Sequence, residues 1–360
     1  MIVSKKMIVK AAAAPLPSDG GKSAQLGKRF EKGETHMEYR LACCEEKEKI
    51  IAFMDAYWGS RHPILHKEEY FQYYFCTHKD RLNFALALEG ESICAVCGFT
   101  PCNEACSEIW ISLWQAAPKK NGVGLELMSR MPSLTGAQRM SCNNIRPETQ
   151  VFYQFLGYET GELKQYYRLG TRTDFQLAQP ESLQRPEVDC TVYYRRVSSF
   201  AELCACAELP SVSLPQKDLW YVQRRFFQFP GYAYELYGLY EKGRIRALLA
   251  VRPNPVNDRC VLRIVDYWGT EEDFGRVGGT IEALLEQYRA EYADLYCTGL
   301  SQQALTQAGF TLREHGSRTV IPNYLNPPVA CNTDYFYFTS DPTDFRMFRA
   351  DGDQDRPNCS

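Results

Sequence analysis

EIWISLWQAAPKKNGVGLELMSRM, residues Glu108 to Met131, is the stretch on which the reading of the fold turns. Its first eight residues are rich in Ile and Trp and read as a strand. PKKNGVG, Pro118 to Gly124, is a glycine-containing turn, and LELMSRM, Leu125 to Met131, opens an amphipathic helix. A strand that turns on glycines into a helix presents unpaired backbone N–H groups and the positive end of the helix dipole, a setting that favours an anion such as a pyrophosphate. A side chain at Gly122 or Gly124 would crowd that approach, and Lys119 and Lys120 add positive charge beside it. The same pattern also suits an ordinary strand-to-helix turn in which glycine serves geometry alone.

Outward from this stretch the elements recur in a definite order. Before it, EYRLA from Glu38 reads as a strand, CEEKEKIIAFMDAY and KEEYFQYYF as helices, and FALALEGESICAVCGF as a hairpin turning at Glu89-Gly90. After it come a short strand near Met140 to Asn143, a helix around Thr149 to Leu156, a break at Gly157-Tyr158 and the strand LKQYYRL. The order then repeats: strand TVYYRRV, helices SFAELCACAEL and QKDLWYVQRRFFQF, a hairpin turning at Lys242-Gly243, strand CVLRIVDYWG, helix VGGTIEALLEQYRAEY, strand ADLYC, helix QQALTQ and a break at Gly309-Phe310. Shared order with low residue identity reads as an internal duplication; two unrelated α+β domains are the alternative.

Length and composition agree with two compact domains: 360 residues exceed what one core usually serves. A 45% hydrophobic and 24% charged chain is globular, and 41 Lys and Arg against 44 Asp and Glu leave no dense basic run for nucleic acid. Fifteen cysteines without framework spacing point to a reducing cytoplasm. No run of about twenty apolar residues is present, so no membrane span is expected. Lys10, Pro15 and Pro17 interrupt the N-terminus as a signal peptide, and its small, polar, turn-rich residues read as disordered, with Met37 as the expected true start.

Candidate chemistry concentrates in the first half. Tyr153 lies four residues before Gly157 and is either a proton donor to a departing thiolate or a core aromatic. Glu108 is either a base for an amine or a charged strand end, and His62 in WGSRHPIL is either an acceptor contact or an exposed loop histidine, with His66 a weaker candidate. Cys94 and Cys97 sit an odd number of residues apart on a strand and so face opposite sides, which argues against a zinc site with Cys102 and Cys106. Asp351, Asp353 and Asp355 have the spacing that opens a calcium loop, but Arg356 stands where its glycine should be, so no metal is expected.

Taken together, the strand, KKNGVG, the helix and VFYQFLGY resemble the GNAT superfamily of acyl-CoA-dependent acyltransferases. The resemblance covers most of Met37 to Leu169. It implies that Lys119, Lys120, Asn121, Gly122, Val123, Gly124 and Leu125 hold the coenzyme pyrophosphate, with lysine replacing the family's usual first residue. It further implies that Leu113, Trp114 and Gln115 meet the pantetheine and thioester, that Tyr153 is the acid with Glu108 or water as base, and that Trp58 and His62 face the acceptor. Arg146 stands where the family often carries asparagine. Gly275-Arg276-Val277-Gly278-Gly279 and Leu305 in the second half reproduce neither the glycine spacing nor the acid.

The expected fold is therefore α+β: two tandem GNAT-like domains, each a mixed, mostly antiparallel sheet flanked by helices, the second degenerate. The expected division is an extension over 1–36, a cofactor-binding domain over 37–172, a linker over 173–188, a second domain over 189–340 and a C-terminal tail over 341–360. The expected function is transfer of an acetyl or other acyl group from acyl-CoA to a small-molecule amine. Similarity in layout to GNAT-like proteins of bacterial surface-polysaccharide loci points to a nucleotide-linked amino sugar. A non-catalytic GNAT-like binding module and a tRNA-dependent aminoacyl transferase are the alternatives.

Overall fold

The computed structural model describes residues 36–210 and 212–357. The expected N-terminal extension, His36 apart, lies outside the described residues. The first half runs β1 (Met37–Cys43), α1 (Lys47–Tyr57), α2 (Pro63–His66), α3 (Glu68–Phe75), β2 (Arg81–Glu89), β3 (Ser92–Pro101), β4 (Glu108–Ala116), α4 (Val123–Thr135), β5 (Arg139–Ile145), α5 (Gln150–Phe155) and β6 (Glu159–Leu169). The second half runs β7 (Arg195–Arg196), α6 (Phe200–Cys206), α7 (Leu219–Val222), β8 (Glu235–Glu241), β9 (Arg244–Val256), β10 (Arg259–Trp268), α8 (Glu271–Gly275), α9 (Gly278–Gln287), β11 (Tyr292–Thr298), α10 (Gln302–Gln307) and β12 (Thr311–Leu312). Two further strands end the chain: β13 (Tyr335–Thr339) and β14 (Met347–Phe348).

All these strands join one sheet in the order β1-β2-β3-β4-β5-β13-β6-β11-β10-β9-β8-β7, with β12 on β6 and β14 on β11. β6 is the shared strand. Its Glu159–Leu163 stretch pairs with β13, and Lys164–Leu169 pairs with β11. β13, from the far end of the chain, lies antiparallel to both β5 and β6. The expected boundary between the second domain and a tail thus falls beside a strand that completes the sheet of the first half.

Helices cover both faces. On one face of the first half, Phe71, Phe75, Ile50 and Met54 from α1 and α3 pack on Phe84 and Leu86. On the other, Leu127, Met128 and Met131 of α4 bury against Ala85, Ile109, Ile111 and Phe338. Each such side chain contributes about 1.5–3 kcal/mol by leaving water. The segment expected as a linker is held in place: buried Glu291 accepts from the backbone N–H groups of Gln176, Leu177 and Ala178 at 2.9, 2.9 and 3.2 Å.

Several expected elements are shorter than their patterns, and two of them have a visible cause. TVYYRRV contributes only Arg195–Arg196 to the sheet, because Tyr194 turns inward to donate its hydroxyl to the Asp273 carbonyl at 2.9 Å. The helix expected from Gln216 begins at Leu219, with Asp218 capping the Tyr221 N–H at 2.8 Å. The residues before it are extended because Lys217 is drawn into the interior, where its Nζ lies 2.8 Å from both Asp266 oxygens and 2.6 Å from Asp351. Burial holds the carboxyls of Asp266 and Asp351 above the usual range.

Lys217→Met strands these two carboxylates together and should cost about 3–5 kcal/mol at pH 8. Folded-state pKa values above the unfolded ones mean that stability is kept at low pH and lost as pH rises. The variant's deficit should therefore shrink at pH 5, where the carboxyls take up protons. Urea unfolding at both pH values checks this, and an equal deficit at pH 5 and pH 8 would contradict it.

Candidate functional site

β4 and β5 are parallel neighbours only where Glu108, Ile109 and Trp110 meet Arg139, Met140 and Ser141. Beyond that point both strands continue and part from each other. The wedge between them is a cleft of about 570 Å³ lined by Ser112, Leu113, Trp114 and Gln115 on one side and Cys142 to Ile145 on the other. Tyr153, Trp58, His62 and Arg146 complete the wall, together with Asp353, Gln354 and Arg356 from the end of the chain.

The glycine turn stands where β4 hands over to α4. Gly122 caps the helix with φ +81°, and nothing lies within 4 Å of the position a Cβ would take. Gly124 serves a different end: a Cβ there would sit 3.0 Å from the Ala116 Cβ, and its carbonyl accepts from Trp114 Nε1 at 3.1 Å. The first glycine supplies a left-handed conformation and the second lets α4 press on β4. Val123, Gly124 and Leu125 form the first turn, whose N–H groups have no helical acceptor. Lys119 and Asn121 are exposed beside them, whereas Lys120 is drawn to Glu89 at 2.5 Å. These residues fit an anionic group such as the coenzyme pyrophosphate. Because Gly124 is a packing position, a side chain there would disturb the fold as well as any ligand.

Tyr153 on α5 is only 5% exposed, its ring stacked on Phe338 of β13 at 4.1 Å and 5.6 Å from Trp114. Burial pushes its phenol well above the ordinary tyrosine value, so it stays protonated and can serve as a proton donor. Trp58 and His62 lie in the loop between α1 and α2 and meet edge to face at 5.7 Å. Burial first, and the Arg356 guanidinium second, lower the His62 pKa to about 4. Arg356 Nη2 lies 3.2 Å from His62 Nε2, which assigns the proton of the neutral ring to Nδ1, and Nδ1 is buried without an acceptor. His66 is bound to Asp55 at 2.7 Å and lines no part of the cleft.

Glu108 is not at the cleft, and the expectation that it supplies the base is corrected. It sits at the paired end of β4, buried, 3.1 Å from Arg139 and accepting the Gln216 N–H. Two carboxylates line the wedge: Asp334 is paired with Arg313 at 2.5 Å, and Asp353 accepts from Ser112 Oγ at 2.7 Å and from Gln354 at 2.6 Å. The sequence signal of Asp353 was the alternation Asp351, Asp353, Asp355, weighed only as a calcium loop. Asn143 of β5 anchors this run by donating to the carbonyls of Phe348, Arg349 and Asp351 at 3.1, 3.4 and 3.3 Å.

The second half repeats the parallel pair, β10 with β11, over Val261–Ile264 and Tyr292–Leu295. Its wedge is filled: Phe348 and Met347 of β14 pair with Cys297 and Thr298, and the Ala350 N–H donates to Val265 at 2.9 Å. The start of α9 is covered too, since a Cβ on Gly278 would meet Val188 at 2.7 Å and one on Gly279 would meet Cys190 at 3.0 Å. Leu305 is wholly buried in the core.

Neither a family model nor a curated protein sequence matches this chain. Solved structures do. A GCN5-related N-acetyltransferase of Anabaena variabilis ATCC 29413 superposes with a TM-score of 0.52 at 13% identity, over 84% of this chain and 72% of that one. A conserved protein of Enterococcus faecalis V583 gives 0.48 at 13% identity over 85% and 72%. A tandem GNAT protein of the clavulanic acid pathway gives 0.40 at 11% identity over 86% and 100%. The likeness to the Anabaena protein bears on the fold, which is GNAT-like and α+β, and the aligned span is too long for either half alone.

His62 makes a pH-dependent contribution. Its folded-state pKa lies below its unfolded one, so the unfolded chain binds more protons and stability falls as pH drops from about 6.5 toward 4. His62→Asn should remove that component. Melting curves at pH 7.5 and 5 should show the native protein losing more than the variant; equal losses would mean the ring is not held neutral.

Proposed function

We propose that the chain is an acyl-CoA-dependent N-acyltransferase whose single working cleft is the β4/β5 wedge. The observation that carries this reading is one open wedge that holds a buried protonated tyrosine and a hydrogen-bonded carboxylate and is walled by Ser112 to Ala116, the end of the strand that runs on into the glycine turn. Bound acyl-CoA supplies the activated acyl group. Lys119, Asn121 and the first-turn N–H groups of α4 hold its phosphates, and Leu113 to Gln115, unpaired with β5, offer backbone groups along its arm. Tyr153 holds a proton for the departing sulfur, a weak acid being sufficient for a thiolate. Asp353, held by Ser112 and Gln354, receives the proton that the attacking amine gives up. Positioning of the two reactants supplies much of the rate.

The acceptor in this reading is a small amine, an amino sugar of surface-polysaccharide synthesis being the proposed class, and the setting is the cytoplasm. Among the described residues no helix is long and apolar enough to cross a membrane, and the described cysteines are free thiols. The second half, its wedge filled by β14, serves as structure and as a source of cleft residues.

Tyr153→Phe should lower kcat by roughly 10²-fold with little change in KM for acyl-CoA, because the lost donor acts in the transition state. Asp353→Asn should lower kcat with little change in the melting temperature. Glu108→Gln should instead lower the melting temperature and spare kcat. Lys119→Glu combined with Asn121→Asp should weaken acetyl-CoA binding at least tenfold in calorimetry without lowering the melting temperature. Unaltered affinity would exclude the loop, and full activity in Tyr153→Phe would leave that ring a packing residue.

A further inference from the structure

Beside the cleft lies a second cavity, of about 320 Å³, that shares a wall with it: Gln354 and Arg356 line both. Four guanidiniums face this cavity, those of Arg252, Arg263, Arg349 and Arg356. Three of them are almost completely buried, Arg252 at 5%, Arg263 at 2% and Arg349 at 5% exposure. Burying that much charge needs compensation, and only part of it is present. Asp355 takes Arg252 in a two-point pair, 2.6 Å at its shorter contact, and Asp294 is shared by Arg263 at 3.1 Å and Arg349 at 2.9 Å. Arg356 has no carboxylate at ion-pair distance among the described residues; it reaches the Asp353 carbonyl at 2.5 Å and neutral His62 at 3.2 Å.

The balance is two positive charges in excess. Arg349 Nε is buried without an acceptor. An unpaired buried donor and net positive charge are what a desolvated anion would satisfy. We propose that this cavity binds a phosphoryl-bearing portion of the acceptor, a dianion matching the excess, so that the amine of the same molecule extends past Gln354 and Arg356 into the wedge. The assignment to an acceptor rests on the acyltransferase reading; the anion site itself does not. A phosphate or diphosphate suits the site better than a single carboxylate because forked guanidiniums engage several oxygens at once and the charge to be met is two.

The test is titration of the full chain with inorganic pyrophosphate, followed by calorimetry, in a Lys119→Glu, Asn121→Asp background so that the glycine turn does not contribute. Binding is expected to persist in that background, to fall at least tenfold with Arg356→Gln, and to fall severalfold with Asn326→Asp. The last variant adds a negative charge at the exposed rim without touching the buried arginines, so it reports even if loss of Arg356 disturbs the fold. Absence of binding, or binding indifferent to both changes, overturns the proposal. A kinetic arm assigns the phosphate to the acceptor: an amino-sugar phosphate should be preferred over the same unphosphorylated amino sugar at least tenfold in kcat/KM, and Arg356→Gln should erase the preference. Equal use of both would overturn the acceptor assignment. If pyrophosphate binds as expected while acetyl-CoA binds nowhere, the acyltransferase reading fails and the anion site stands.

Discussion

Everything in this structure depends on one strand pairing: Tyr335–Thr339 seated between β5 and β6. Without it β5 and β6 would each present an open ladder of N–H and C=O groups in the middle of the sheet. Phe338 of the same strand is the surface on which Tyr153 stacks. The pairing also forces β6 to serve two partners, so the sheets of the two halves are one. A protein built this way cannot be cut between its repeats without leaving unpaired backbone on both sides of the cut.

From β13 the chain goes on to treat the two wedges oppositely. At the second wedge it lays down β14 and fills the gap with Met347 and Phe348. At the first it is tied by Asn143 to the rim and leaves the gap open, furnishing it with Asp353, Gln354 and Arg356. Missing glycines are thus only part of why the second half lacks a cofactor site. Parallel strands that part create a space which something must occupy, and in one half that occupant is the protein's own backbone. The buried set of Lys217, Asp266 and Asp351 clamps this run between the halves.

Local features were legible in the sequence and non-local ones were not. The strand, glycine turn and helix from Glu108 appear as read, as do the hairpins near Glu89 and Lys242 and the helices Gln150–Phe155 and Gln302–Gln307, because alternation, helical spacing and glycine placement act within a few residues. Tyr153 and the Leu113–Gln115 edge of the strand lie on the wedge, as do Trp58 and His62. Strand β13 escaped notice because its partners lie far away in sequence, and no periodicity announces a partner. Which of the two readings of Glu108 its position favours is also non-local: its carboxylate is used by Arg139 and by the backbone of Gln216, contacts that only the folded chain brings together. Asp353 was visible as one of three alternate aspartates, but the three have separate uses, Asp351 on Lys217, Asp353 on Ser112 and Asp355 on Arg252. Spacing alone suggested one shared ligand.

The wedge also shows how environment sorts titratable groups into roles. Tyr153 is enclosed by rings and keeps its proton. His62 is enclosed beside a guanidinium and loses its charge, so it neither repels a cationic amine nor competes for a carboxylate. Asp353 accepts hydrogen bonds from a hydroxyl and an amide. One donor, one neutral ring and one acceptor follow from burial and hydrogen bonding alone. Arg356 links this arrangement to the basic cavity, since the guanidinium that adds to burial in keeping His62 uncharged also faces the neighbouring space. A negative group bound there would offset the positive field at His62 and ease the cost of protonating it, so occupancy of the basic cavity and the charge state of the cleft are electrostatically coupled.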